Sequence, residues 1–276
     1  MAAGLEKLST SRLFTVVTGG LTIGENSLHP SVVQASSIYP PVPEIYNWEA
    51  WQQIRQQKDK ASVAAAGIGL LIIVGGTFFS PLALAGVVPS TTALNLIQKS
   101  AQLEQVIPVL LKGFEEEGIQ VFASLPVEGQ QDLDLFVRFP DKTFFAIAVR
   151  SKGRSKIVYS ENVEDLRIKR KAGTASNKWK PNPLQELNDQ EIWLRKNRRD
   201  LFGGSSRDSR RPVVKILALW GETSVGSHPE HLYSKVGSSS YLVLRKTGTI
   251  CMLQADQLVS FIRDWRIELQ QRKDTS

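Results

Sequence analysis

One cysteine in 276 residues excludes an intrachain disulfide and any multi-cysteine metal site. The surroundings of that residue, Thr249-Ile250-Cys251-Met252-Leu253, read as a buried strand, so an inert core thiol is expected. Three histidines, His29, His228 and His231, are too few for a histidine-rich metal centre. His228-Pro229-Glu230-His231 carries metal-like residue types but falls in 221–237, which reads as a surface loop. There is no glycine-rich phosphate-binding loop, no dinucleotide glycine fingerprint and no serine-nucleophile elbow. Most of the familiar enzyme motifs are therefore excluded at the outset.

Charge is also missing from one place. No Asp, Glu, Lys or Arg occurs from 61 to 98. A bilayer crossing needs about 20 apolar residues in a helix, and this stretch is longer, so membrane insertion is expected. Gly75-Gly76 and Ser80-Pro81 either kink one long helix or turn a re-entrant hairpin. Trp48 and Trp51 suit a membrane interface, with Arg55, Lys58 and Lys60 in the headgroup zone. Those cations favour an N-terminus on the cytoplasmic side; a hairpin would return the C-terminal domain there, whereas a single pass would export it. The cytoplasmic placement is the expectation. Residues 1–47, rich in Ser, Thr, Gly and Pro and without a signal-peptide pattern, read as a poorly ordered arm. The chain then divides into 48–90, a juxtamembrane helix with a membrane segment, and 91–270, an α/β domain.

What the sequence has in excess is positive charge, unevenly placed. The net charge is +7, from 34 basic and 27 acidic residues. Residues 1–98 are neutral, and 150–215 hold 18 basic against 8 acidic residues. A basic surplus beside a candidate site suggests a polyanion partner, either nucleic acid or an anionic lipid surface.

Two stretches stand at the centre of the domain. Asp132-Leu133-Asp134-Leu135-Phe136-Val137-Arg138-Phe139 reads as a strand. A turn at Pro140-Asp141-Lys142-Thr143 leads into a second, running from Phe144 through Ile147-Ala148-Val149-Arg150 to Gly153. Side chains alternate across a strand. Asp132, Asp134 and Phe136 thus share one face, and Ala146, Ala148, Arg150 and Lys152 share a face of the next strand. Carboxylates and cations can converge there. The rest of the domain alternates: a helix over 91–117 ending at Glu115-Glu116-Glu117-Gly118, a strand at 119–124, and a basic loop through Arg154, Lys156, Arg167 and Lys180. A Pro-started helix from Leu184, a strong strand over 213–220, a strand pair over 241–253 and a last helix from Ala255 complete it. The alternation predicts an α/β domain with a mixed sheet.

These features together resemble the nuclease-related domain (NERD) family of the PD-(D/E)xK nuclease superfamily. The resemblance rests on the helix ending in acids, Asp132-Leu133-Asp134, the Pro140-Asp141 turn, Ile147-Ala148-Val149-Arg150-Ser151-Lys152-Gly153, and Asn182-Pro183-Leu184-Gln185. It implies a restriction-endonuclease-like mixed sheet flanked by helices, here preceded by a hydrophobic membrane segment. It also implies Mg²⁺ held by carboxylates, with a lysine that positions water and stabilises charge. Carried onto this chain, the first acid is Asp134 or Asp132, the second acid position falls on Ala148, and the lysine position falls on Arg150. Lys152 shares that face and is the expected substitute. Glu117 or Asp141 is the expected source of a displaced acid, so the implied metal set is Asp134, Asp132 and Glu117.

Three functions follow as expectations. The first is a degenerate relative that binds DNA through Arg150, Lys152, Arg154, Lys169, Arg170, Lys171, Lys178, Trp179 and Lys180, with Trp179 either stacking on a base or anchoring its own loop. The second is an active Mg²⁺-dependent endonuclease with Asp134, Asp132, Arg150 and Lys152 as its catalytic set. The third is a membrane-associated domain that docks a protein partner.

Overall fold

A computed structural model describes residues 45–75, 87–170, 176–203, 205–246 and 248–275. The arm over 1–44, the middle of the uncharged stretch at 76–86 and Lys171 lie outside the described residues. The fold is α/β, built on a mixed sheet with helices on both faces.

Seven strands make the main sheet. In chain order β1 (Gln120–Leu125), β2 (Leu133–Arg138) and β3 (Phe144–Arg150) form an antiparallel meander. β7 (Val213–Leu219) lies parallel to β3, and β11 (Ile250–Gln254) lies parallel to β7. β10 (Ser239–Leu244) and β9 (Tyr233–Val236) close the far edge antiparallel. The central strands read as continuous apolar runs because both of their faces are covered; every residue from Phe144 to Val149 is buried.

Strand parity sorts the core into two layers. Val137, Phe145, Ile147, Ile216 and Cys251 face one side. They pack under α1 (Asn47–Gly75), α2 (Val87–Gly113) and α4 (Leu258–Asp274), through Ile54, Leu103, Ile107, Leu110 and Phe261. Phe136, Phe144, Ala146, Ala148 and Leu217 face the other side, against α3 (Pro183–Asn197) through Leu184, Leu187 and Leu194. Each such Phe or Leu contributes ~1.5–3 kcal/mol by leaving water.

Local chemistry sets the helix ends. Pro183 opens α3, and the Asn182 side chain accepts the Leu184 N–H at 3.1 Å, which satisfies one free donor of the first turn. Pro108 is accommodated inside α2. The chain after α2 tightens into a 3₁₀ turn at Glu115–Glu117 and ends on Gly118 at φ 66°, a conformation glycine adopts without strain.

α1 and α2 run antiparallel and are pinned at their shared base. The Asn47 amide donates to the Ile119 carbonyl at 2.9 Å, and its oxygen accepts the Val121 N–H at 2.8 Å. Trp51 Nε1 donates to the Glu104 carbonyl at 2.9 Å, and Lys58 pairs with the Glu104 carboxylate. Among the described residues no helix is long and apolar enough to cross a membrane.

The largest departure from the expected architecture lies between β3 and α3. The stretch read as a basic loop forms strands: β4 (Ser155–Ser160), β5 (Asp165–Arg170) and β6 (Ser176–Lys178). With β8 (Ser224–Val225) they make a second, four-stranded sheet in the order β6-β5-β4-β8. Ile157, Tyr159 and Leu166 turn inward to join the core layer over α3, while Lys156, Arg167 and Lys169 turn outward. The 221–237 stretch, also read as a loop, supplies β8 and β9.

Candidate functional site

Asp134 sits near the start of β2 and is fully buried. The β2–β3 ladder ends at the Leu135–Ile147 pair. Beyond it, Asp134 Oδ2 accepts the Val149 N–H at 2.7 Å and also bonds Arg150 Nη1. Its Oδ1 pairs with Lys99 Nζ, from α2, at 2.8 Å. The second guanidinium nitrogen of Arg150 donates to Gln131 Oε1 at 3.1 Å and lies 3.7 Å from Glu186, in the first turn of α3. Buried Gln190, one turn further along α3, donates to the Gln131 carbonyl at 2.7 Å. Two cations from different elements thus quench one buried carboxylate, and α3 adds a second acid at the rim.

The surroundings tune the neighbouring acids. Burial raises the Glu186 carboxyl above its ordinary value; Arg150 opposes the rise, and Asp134 adds to it. Asp132 lies exposed at the mouth of the cluster. Partial burial raises its carboxyl, Lys99 opposes, and Asp134 pushes the same way as burial.

The metal set implied by the resemblance does not assemble. Glu117 and Asp141 are both held by Arg266, whose guanidinium stacks 3.8 Å from the Phe139 ring centre. Asp141 belongs to the β2–β3 turn, about 20 Å along the strand from Asp134 at ~3.3 Å per residue. Glu117 is therefore at the wrong end of the hairpin to join Asp134 and Asp132. At the second acid position, Ala148 is 1 % exposed among apolar neighbours. Among the described residues no group of three or more His, Cys, Asp or Glu could hold a metal ion. Asp134 Oδ2 already accepts from the Val149 amide and Arg150, and Oδ1 faces the Lys99 ammonium, so an Mg²⁺ at this carboxylate would stand against two fixed cations. The residues present do not fit the implied ion.

The expected cations separate into two groups. Arg150 is consumed at Asp134. The Lys152 ammonium stands 5.2 Å from the ring centre of Trp179, and Trp179 is 3 % exposed. That ring anchors its loop beneath Lys152, so its face is not open to a base. Lys178 pairs with Asp165 at 2.7 Å, and Lys180 is exposed beyond β6. Arg154, Lys169 and Arg170 instead line a cleft of about 890 Å³ on the outer face of the four-stranded sheet, together with Lys156 and Arg167.

Sequence reasoning missed Lys99, Glu186, Gln131 and Gln190 at the buried cluster. Lys99 reaches Asp134, Gln131 and Glu186 reach Arg150, and Gln190 holds Gln131, contacts made by tertiary packing, for which no local pattern exists. Lys156 and Arg167 in the cleft had a signal, the period-two alternation with Ile157, Tyr159, Leu166 and Ile168. No protein-family model, no curated protein and no solved structure matches the chain.

Proposed function

We propose that the chain is a membrane-anchored protein with a nuclease-like domain that holds nucleic acid without cutting it. The order of elements supports the nuclease-like reading: helix, three-strand meander, Pro-started helix, then a strand parallel to the third, with Asp134 and Arg150 at the positions the NERD resemblance assigns. The observation that carries the loss of catalysis is the electrical state of Asp134. A carboxylate neutralised by Lys99 and Arg150 has little field left for a metal, and Arg150 cannot take a proton from water at ordinary pH. Binding remains because the basic surplus of 150–215 is not consumed there; much of it points outward from the small sheet.

The helical hairpin supports the anchor. α1 and α2 meet at a polar base, and beyond Ala61 and before Lys99 the sequence has no charge. Val63, Leu94 and Leu96 are exposed on these arms. Two short apolar arms that return to their base put both flanks on one membrane face, which suits a cytoplasmic C-terminal domain.

The test is a pair of assays on the full-length chain in non-ionic detergent. With Mg²⁺ present we expect duplex DNA to be bound at low salt and left intact. Metal-dependent cleavage that disappears in Asp134→Ala would establish the active-enzyme alternative. Absence of both binding and cleavage would leave a protein-docking role. Release of the chain from membranes at alkaline pH would remove the anchor.

A further inference from the structure

The four-stranded sheet presents a lattice of positive charge. Ser155, Ile157 and Tyr159 turn inward, so Lys156 and Val158 turn outward. Lys156 stands opposite Lys169 on β5 and opposite Ser224 on β8. One row along, Arg167 stands opposite Val158 on one side and Lys178 on the other. Like charges paired across strands destabilise a sheet. The Lys156–Lys169 pair therefore calls for a compensating anion.

The described residues do not supply it. The acids nearest the cleft are spent: Glu222 chelates Arg154 Nε with both oxygens at 2.8 Å, and Asp165 holds Lys178. Lys156, Arg167, Lys169 and Arg170 have no carboxylate partner among the described residues. Cations repeat every ~7 Å along a strand and ~5 Å across, so an extended anion can meet several of them at once. The cleft contains serines and glycine beside the cations but no aromatic side chain. Trp179 and Tyr159, the aromatics of these strands and their flanks, are buried inward.

The far wall is fixed in shape. Gly226 N–H donates to the Ile157 carbonyl at 2.7 Å. A Cβ on Gly226 would lie 2.7 Å from Val158 Cγ2, so any larger residue would push the wall from β4. His228 accepts the Tyr159 N–H on Nε2 at 2.7 Å and bonds the Gly226 carbonyl through Nδ1 at 2.9 Å.

We propose that this cleft is the seat of a nucleic-acid phosphodiester backbone, held by Lys156, Arg167, Lys169 and Arg170 without contact to the bases. The inference rests on the nucleic-acid reading above and deepens it, because base stacking needs an aromatic platform that this face lacks. Affinity on such a surface comes from counterion release and falls steeply with salt.

The experiment uses the full-length chain in detergent with three probes: duplex DNA, single-stranded homopolymers of different bases, and neutral vesicles against vesicles rich in phosphatidylserine. Binding is followed from 50 to 200 mM salt. The expected result is duplex binding with a log–log salt slope of about −4, for about four phosphates neutralised at ~0.9 each, and homopolymer affinities within about threefold of one another. Lys156→Glu with Lys169→Glu should weaken binding at least tenfold while circular dichroism and melting stay unchanged. Both side chains are exposed, so the fold tolerates the change. If nucleic acid binds but the double variant binds as tightly, the cleft assignment is overturned and the general reading stands. A strong base preference overturns base-free recognition. No nucleic-acid binding, or binding of anionic vesicles only, overturns both.

Discussion

Asp134 accepts the main-chain N–H of Val149 at 2.7 Å, just where the ladder between β2 and β3 stops. A side chain there does the work of a strand neighbour and pulls Lys99 and Arg150 together around one charge. Asp134→Ala would leave two half-buried cations facing each other and one amide unsatisfied. Breaking a buried pair from one side costs about 3–5 kcal/mol, and urea unfolding should show a loss of that size. Asp134→Asn should lose less, since its amide oxygen still accepts from Val149. A loss below about 1 kcal/mol for the alanine variant would show that the cluster is not structural.

An acid placed at position 148, where the NERD resemblance would put one, should harm the protein rather than create a nuclease. Ala148 is 1 % exposed among Phe136, Ala146 and Leu217. A carboxyl placed there enters an apolar layer next to Asp134, whose charge already engages Arg150 and Lys99, and pays several kcal/mol of desolvation. Ala148→Glu should lower the melting temperature by about 10 °C at ~2–4 °C per kcal/mol. Cleavage activity gained without loss of stability would refute this.

Cys251 gives a simple probe of opening. Burial pushes its thiol up to about 12, with Arg245 opposing weakly. The thiolate is the reactive species, so thiol reagents at pH 8 should leave the folded chain unmodified over hours and label one thiol at once in denaturant. Rapid labelling of the folded protein would mean that β11 is exposed in solution.

Acid stability should fall in two windows. Burial lowers the His228 pKa from 6.5, while the Gly226 carbonyl and Glu161 oppose. The ring is hemmed in by Tyr159, Tyr233 and the Glu161–His231 pair. In the unfolded chain His228 binds its proton at higher pH than in the fold. Its contribution is therefore full above 6.5, declines below it and is gone beneath the lowered folded value. Asp208 is held down to about 2, first by Lys142 and then by Ser205 and Arg211. Its contribution is full above 3.8 and lost as pH falls through about 2. Denaturant midpoints measured from pH 8 to pH 2 should show both declines, and His228→Gln should remove only the upper one.

Six of the seven main-sheet strands were legible because they carry a strong signal, whereas β9 lay hidden in the stretch read as a loop. The continuous apolar run at 144–149 and the nearly continuous one at 213–219, broken by Lys215, are of strand length and rich in β-branched and aromatic residues, and strand parity places Asp134 and Arg150 on converging strands. The small sheet was not legible as such because its outward residues are Lys and Arg, whose density imitates a solvated loop. The alternating Ile157, Tyr159, Leu166 and Ile168 were the weaker signal beneath it. The true partners of Asp134 were out of reach of any pattern, since Lys99 and Glu186 arrive from separate helices. The resemblance implied a metal site at Asp134, and in the structure Lys99 and Arg150 pair with that carboxylate.

β7 lies parallel to β3 on one side and to β11 on the other, and this sets a timetable for synthesis. When Arg150 leaves the ribosome, the inner edge of β3 must wait for the small sheet, α3 and the following turns before its neighbour at Val213–Leu219 exists. During that wait a strand with both faces apolar shows unpaired amides, the arrangement that templates edge-to-edge association. Non-local parallel pairing is slow in any case. Fragments that stop before Val213 are therefore expected to aggregate, and in the cell the nascent chain is a client for chaperones that cover strand edges.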